Sequence, residues 1–316
     1  MLINRGQAGP EARGAVCALG NFDGVHRGHQ SVLEIAATRA KAARRTLGVV
    51  TFEPHPRSFF APNAPPFRLM NAGARAHRLE RLGVEVLHEI AFDAALAGLS
   101  AEAFARAVLV DALGVAHVVV GADFRFGKGR EGDVARLSAL GEILGFGVSE
   151  APILSDAQGD ISSTAIRAAL TDGRPEDATA MLGHRHRIEG RVEKGDQRGR
   201  DLGFPTANLS MEGLHLPRFG VYAVTVDIID GPHQGRFGGA ASIGVRPTFG
   251  ENRPNLEVFL FDFSGDLYGA EISVGLVEFL RPELAYDGVD PLIAQMNADC
   301  EAARAILAQD AHAHGH

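Results

Sequence analysis

The chain has 316 residues, 46% of them hydrophobic and 22% charged, with no Trp, three Tyr and a formal net charge of −8. This length exceeds the roughly 100 to 200 residues of an ordinary single domain, so two domains are expected, each with its own core. The acidic balance excludes a broad nucleic-acid surface, and the composition excludes a fibre or a disordered chain. Cys17 and Cys300 stand far apart, with neither the pattern of a disulfide framework nor a zinc-ligand spacing. The opening MLINRGQAGPEARG lacks the apolar centre of a signal peptide, and no run reaches the ~18 apolar residues of a membrane span. A cytoplasmic protein with neither nucleic-acid nor membrane partners is expected; protein partners and oligomeric state are left open.

Through residue 182, β-rich runs alternate with helical stretches. AVCALG is read as the first strand, HQSVLEIAATRAKAARR as a helix and TLGVVTFEP as the next strand. ARAHRLERLG, VEVLHEIAF, AEAFARAVLVDALG, VAHVVVGADF and DVARLSALGEILG continue the alternation. This order predicts βαβ units on a parallel sheet, and continuous apolar runs such as VAHVVVG suit strands covered on both faces. From about residue 185 the chain turns to short strands divided by Gly, Pro and Asn: HRIEGRVEKG, FGVYAVTVDII, FGGAASIGVRPTF, NLEVFLFDF and EISVGLVEFL. These read as a β-barrel or sandwich, of which a small antiparallel barrel is expected. DPLIAQMNADCEAARAILAQ then predicts a closing helix with Asp290 as N-cap and Pro291 at its first position. The boundary is placed in MLGHRH, giving domains 1–182 and 183–316. The histidines of the closing HAHGH read as a solvated end.

GNFDGVHRGH, residues 20–29, follows the first strand, where open α/β sheets place their ligands. Its glycines let the backbone approach a ligand, and the spacing of His26 and His29 turns both rings toward one small volume at a helix N-terminus, a cradle for phosphates. The same spacing alone equally suits a metal site or a surface pair. In VTFEPHPRSFF, Pro54 and Pro56 stiffen the loop after a strand and present His55, as a ligand contact or as part of a turn. Ser163 and Thr164 in ISSTAIRAAL are read as N-caps that also turn N–H groups, hydroxyls and Arg167 toward an anion.

These strings resemble, in order, the nucleotidylyltransferase superfamily and, more closely, the adenylyltransferase half of the bifunctional riboflavin kinase and FAD synthetase family. VVGADFRFGKGREGD resembles that family's flavin-side loop and ISSTAIRAAL its S-S-T-x-x-R clamp on the ATP phosphates. The resemblance implies a Rossmann-like domain in which an FMN phosphate oxygen attacks the α-phosphorus of ATP and pyrophosphate leaves. His26, His29 and Arg167 would stabilise the transition state. Gly20, Asn21, Phe22, His55, Asp123, Phe124, Arg125, Ser163 and Thr164 would bind nucleotide and flavin, with at least one of Phe124 and Phe126 in the core. Ala165 stands where some relatives carry a second Arg.

In GRVEKGDQRGRDLGFPTANL, residues 190–209, Thr206 and Asn208 are two apart and share one face of an extended chain. Two neutral oxygens there suit Mg²⁺, which takes the rest of its shell from water and phosphate. Gly195, Gly199 and Gly203 permit a flap over phosphates, with Arg198 or Arg200 supplying positive charge, although a surface turn explains these glycines and arginines equally well. Glu257, a carboxylate on an apolar strand, is read as facing a solvated or ligand-filled cleft, while the residues alone favour a solvent-facing edge-strand Glu. LGFPTANL, LPRFGVYAV, ASIGVRPTFG, NLEVFLFDFSGDLYG and VEFLRPE resemble the riboflavin kinase half of the same family. That resemblance implies a barrel phosphorylating riboflavin with ATP, Glu257 as general base and Arg281 at the flavin. His186, Ala285 and Tyr286 depart from the family's residues. Retention of a single activity, and a flavin-binding protein without turnover, are the competing readings.

Overall fold

The computed structural model describes residues 1–156, 159–195, 203–248 and 251–313. Arg198, Gly199, Arg200, His314 and His316 lie outside the described residues. By packing, the chain forms two compact units: Met1–Pro65 with Arg75–Ser162, and Pro66–Ala74 with Ser163–His316.

The first unit is a six-stranded parallel sheet with helical crossovers. Its elements are β1 (Leu2–Asn4), β2 (Val16–Leu19), α1 (Arg27–Ala43), β3 (Leu47–Glu53), α2 (Pro56–Phe60), α3 (Ala72–Arg81), β4 (Val86–Ala91), α4 (Ala94–Ala97), α5 (Ala101–Phe104), β5 (His117–Gly121), α6 (Val134–Leu144) and β6 (Gly147–Ala151). The strand order is β1-β4-β3-β2-β5-β6, every pair parallel. After β2 the chain builds β3 and β4 on one side, then crosses to β5 and β6 on the other, so the order reverses at β2. All four β2 residues and the first six of β3 are buried, as the unbroken apolar runs require. A two-residue hairpin, β7 (Ser155–Asp156) with β8 (Gly159–Asp160), precedes the second unit.

The parallel α/β expectation holds, with two local differences. β1 precedes the strand read as the first, and half-exposed Leu2 and Ile3 make it an edge strand. The helix read across 101–114 winds as α5 and then as a π-helical stretch over Ala105–Ala112.

β4 carries His88, fully buried, with Nδ1 accepting from Asn4 Nδ2 at 3.0 Å. Burial pushes this imidazole down to about 4. Its folded value lies below the unfolded one, near 6.5, so its contribution to stability is complete above that pH and is lost as pH falls toward the folded value. The urea midpoint is expected to drop between pH 7 and pH 4.5, and to drop less in a His88→Leu variant.

The second unit contains α7 (Ser163–Thr171), α8 (Pro175–Leu182), β9 (Arg187–Arg191), β10 (Thr206–Ser210), β11 (Gly220–Ile228), β12 (Gly235–Thr248), β13 (Glu251–Leu260), β14 (Glu271–Arg281) and α9 (Val289–Ala313). The antiparallel sheet runs β10-β13-β12-β11-β14-β9. Glu193 N–H donates to the Asn208 carbonyl at 2.9 Å, drawing the two edges together into a nearly closed barrel. Alternate residues fill it: Tyr222, Val224, Val226, Leu256, Val258, Val274 and Leu276 are all buried. Ala303 of α9 packs with Ala223, Ala240 and Phe261 on the outside.

Two expected caps are corrected. α7 begins at Ser163, so Ser163 and Thr164 are its first helical residues, and α9 begins at Val289, which puts Asp290 inside its first turn. α7 and α8, grouped by sequence with the first half, pack in the second unit.

Candidate functional sites

Strands β3, β2 and β5 are neighbours at the middle of the parallel sheet, and their C-terminal ends lie on one edge. From that edge emerge GNFDGVHRGH after β2, the His55 loop after β3 and GADFRFG after β5. Three strings scattered over a hundred residues are thus gathered at the reversal point, where doubly wound sheets bind ligands.

The β2 loop is conformationally unusual. Phe22, Gly24 and Val25 have φ of 52°, 88° and 43°. Left-handed backbone is costly for Phe and for β-branched Val, so burial must hold it, and both are buried. The turn is tied down by Gly20 N–H to the Val50 carbonyl at 3.1 Å and Thr51 Oγ1 to the Asn21 carbonyl at 3.1 Å. Gln30 Nε2 donates to the Val25 carbonyl at 2.8 Å.

His26 is the N-cap of α1, its Nδ1 accepting from His29 N–H at 3.3 Å. An accepting Nδ1 places the proton of a neutral ring on Nε2. The rings of His26 and His29 stack, centroids 3.7 Å apart and 20° between planes, and Phe22 lies 5.1 Å from His29. Burial first, and His26 second, hold His29 well below the ordinary histidine value. Its Nδ1 is shielded from solvent and has no hydrogen-bond partner among the described residues. A Cβ on Gly28 would stand 3.1 Å from the His26 ring, so the helix start approaches the imidazole closely because residue 28 lacks one.

His55 is buried and caps α2, its Nδ1 accepting from Arg57 N–H at 3.0 Å. In the GADFRFG loop, Phe126 is buried and Phe124 stacks on it at 5.6 Å, half-buried. Asp123 and Arg125 are exposed, with Arg125 Nη1 donating to the Phe124 carbonyl at 2.8 Å.

Arg167, Ser163 and Thr164 belong by packing to the second unit. There Arg167 Nε donates to the Phe67 carbonyl at 2.6 Å, the guanidinium lies 5.3 Å from the Phe67 ring, and the Arg167 carbonyl meets His215 Nε2 at 3.1 Å.

On the barrel, Thr206, Asn208 and Ser210 of β10 face outward between buried Ala207 and Leu209. Antiparallel pairing sets Asn208 opposite Glu257 and Thr206 opposite Phe259. Glu257 is half-buried on the outer face of β13, alternating with buried Leu256 and Val258. Asn208 is only 5% exposed although it faces outward, because the chain after β9 covers it. A Cβ on Gly195 would sit 2.4 Å from Asn208 Nδ2, so that cover needs glycine. Gly195→Ala is expected to displace the Asn208 amide and lower any turnover at this site roughly 10- to 100-fold, at unchanged melting temperature.

Arg281 is not gathered with this group. It ends β14, from which β11 and β12 separate β13, and Asp299 of α9 holds it through Nε at 2.8 Å and Nη2 at 2.6 Å. Sequence reasoning passed over Asn255, whose Nδ2 reaches Glu257 Oε1 at 3.1 Å, although its spacing of two from Glu257 on a strand was a usable signal. Asp299 carried no comparable signal.

Two family models match the chain: FAD synthetase over residues 9–165 and riboflavin kinase over residues 182–307. A bifunctional riboflavin kinase/FMN adenylyltransferase of Pseudomonas fluorescens is 43% identical over 304 residues, covering 96% of each chain. The Escherichia coli K12 protein of that name is 40% identical over 286 residues, covering 90% of each. A crystal structure described as a macrolide-efflux protein from Streptococcus pneumoniae superposes with a TM-score of 0.82 at 32% identity, covering 96% of this chain and 98% of that one. With both halves matched in the order in which the two site groups occur, the chain belongs to the bifunctional riboflavin kinase/FMN adenylyltransferase family.

Proposed function

We propose that residues 1–182 transfer the adenylyl group of ATP to FMN and that residues 183–316 transfer the γ-phosphoryl group of ATP to riboflavin. The observation that carries this reading is that two chemically distinct groups of residues each fall within the matching family half. One is a stacked histidine pair at a helix N-terminus, and the other is a set of hard oxygen donors beside a carboxylate.

In the first reaction an FMN phosphate oxygen bonds to the α-phosphorus of ATP as the bond to the β-phosphate oxygen breaks, and pyrophosphate leaves. The protein supplies no nucleophile; its task is position and charge. The α1 N-terminus directs N–H groups and partial positive charge toward the phosphates. His26 offers Nε2–H, and His29, whose Nδ1 lacks a protein partner among the described residues, gains one in a phosphate oxygen. Gly20, Asn21 and Phe22 shape the floor. Phe124 offers a ring face to the flavin, Arg125 and Asp123 bound that loop, and His55 holds the neighbouring turn. Arg167, Ser163 and Thr164 are assigned to the ATP phosphates on the family resemblance of ISSTAIRAAL alone.

In the second reaction the riboflavin 5′-hydroxyl oxygen bonds to the γ-phosphorus, ADP leaves, and the hydroxyl proton passes to the Glu257 carboxylate. Thr206 and Asn208 fit Mg²⁺: both present neutral oxygens on one face, and Asn208 Oδ1 is turned toward the Glu257 strand. When bound, Mg²⁺ would neutralise charge on the transferring phosphoryl group. Gly195, packed against Asn208, belongs to the cover over these phosphates; Arg200, outside the described residues, is assigned to them on the family resemblance alone, and Arg281, fixed by Asp299, is assigned to the flavin.

The name of the Streptococcus pneumoniae structure does not transfer an efflux role. Among the described residues no helix is long and apolar enough to cross a membrane. The unpaired Cys17 and Cys300 suit a cytoplasmic setting. The test is chromatography of flavins after incubation with Mg²⁺ and ATP. Riboflavin should yield FMN and FAD, and FMN should yield FAD; no product from either would refute the reading.

A further inference from the structure

Glu257 has a neighbour on its own strand face. Asn255, two residues earlier on β13, lies opposite Ser210 of β10 and Gly244 of β12, as Glu257 lies opposite Asn208 and Ser242. The Asn255 side chain uses one nitrogen twice: Nδ2 donates to Glu257 Oε1 at 3.1 Å and to Asn208 Oδ1 at 3.3 Å. Its two protons therefore span the cross-strand pair.

The two ends of this bridge differ in burial. Asn208 is nearly sealed from solvent, its Nδ2 donates to the Thr206 carbonyl at 3.3 Å, and its carbonyl accepts from Glu193 N–H at 2.9 Å. It is an anchor. Glu257 is half-buried, with three side-chain torsions, the last of which is broad because it turns about an sp³–sp² bond. A base must hold its accepting oxygen within a few tenths of an ångström of the productive position. Fixing Oε1 narrows that torsion and sets the direction of Oε2.

We propose that Asn255 is a positioning residue for phosphoryl transfer, tethering the Glu257 carboxylate to the anchored Asn208. The inference rests on the reading of Glu257 as the base. Asn255 does not touch the reacting atoms; it acts through Glu257.

The test uses the full chain, with kcat and KM for riboflavin at saturating Mg²⁺ and ATP. Asn255→Ala should lower kinase kcat roughly 10- to 100-fold while KM for riboflavin moves less than threefold. Melting temperature and FAD formation from FMN should match the parent. Asn255→Ser, too short to reach Oε1, should behave like the alanine variant, and Asn255→Gln, which keeps the donor amide, should recover most of the lost kcat. In a Glu257→Gln background, Asn255→Ala should add less than threefold, because the group it orients has lost its function. Parental kcat in Asn255→Ala, or an equal loss in both backgrounds, would overturn the proposal. Parental kinase activity in Glu257→Gln alone would instead remove the reading beneath it.

Discussion

Replacing His29 with alanine is expected to lower FAD formation from FMN and ATP roughly 100- to 1,000-fold in kcat, with FMN formation from riboflavin within twofold of the parent. His29 is the third residue of α1, stacked on the cap His26 and backed by Phe22. Burial and His26 disfavour its charged form, so the resting ring is neutral at pH 7. A neutral imidazole stores no charge for product or buffer anions to occupy. Triphosphate charge beside it would favour the cationic form against the burial, most of all as pyrophosphate departs. Alanine removes this response and also a buried nitrogen without a partner among the described residues, so stability should hold or rise. Flavin chromatography separates the two activities in one sample series. Loss of both with an unchanged melting temperature would show that the sites are not independent.

The parallel sheet was legible because strands covered on both faces must be unbroken apolar runs, as β2, β3 and β5 are. β1 was not: three residues at an edge, two of them half-exposed, leave no period to detect. The π-helical stretch at Ala105–Ala112 is equally invisible, since its composition is that of an ordinary helix. The packing of 66–74, α7 and α8 with the second unit depends on which surface each helix face meets, and amphipathic spacing states only that a face is buried.

The candidate residues were legible to differing depth. His26, His29, Thr206 and Asn208 were singled out by spacing together with the family resemblance of the strings around them, and the structure puts each pair on one local frame, a helix start and a strand face. Phe22 and His55 illustrate what spacing omits. Phe22 is buried beneath His29, and His55 spends Nδ1 on its own helix cap. The partner of Arg281, Asp299, lies on a helix beyond an intervening loop, a pairing that only the fold establishes. The link between Asn208 and Glu257 needs the β10–β13 register, which no local pattern encodes.

Glu257→Gln should lower FMN formation roughly 100- to 10,000-fold and leave FAD formation from supplied FMN at the parental rate. The substitution keeps the size of the side chain and an oxygen able to accept from Asn255, so the cross-strand contacts at 3.1 Å and 3.3 Å need not break. What disappears is the capacity to take a proton. A hydroxyl attacking phosphorus without a base must release its proton to water instead. With riboflavin as the sole flavin, the variant should make neither product, since adenylyl transfer has no FMN to act on; added FMN should restore FAD. That rescue distinguishes a blocked first step from a damaged protein. Persistence of riboflavin phosphorylation near the parental rate would mean that position and charge alone drive this transfer, as proposed for the histidine pair, and that Glu257 serves the barrel in another way.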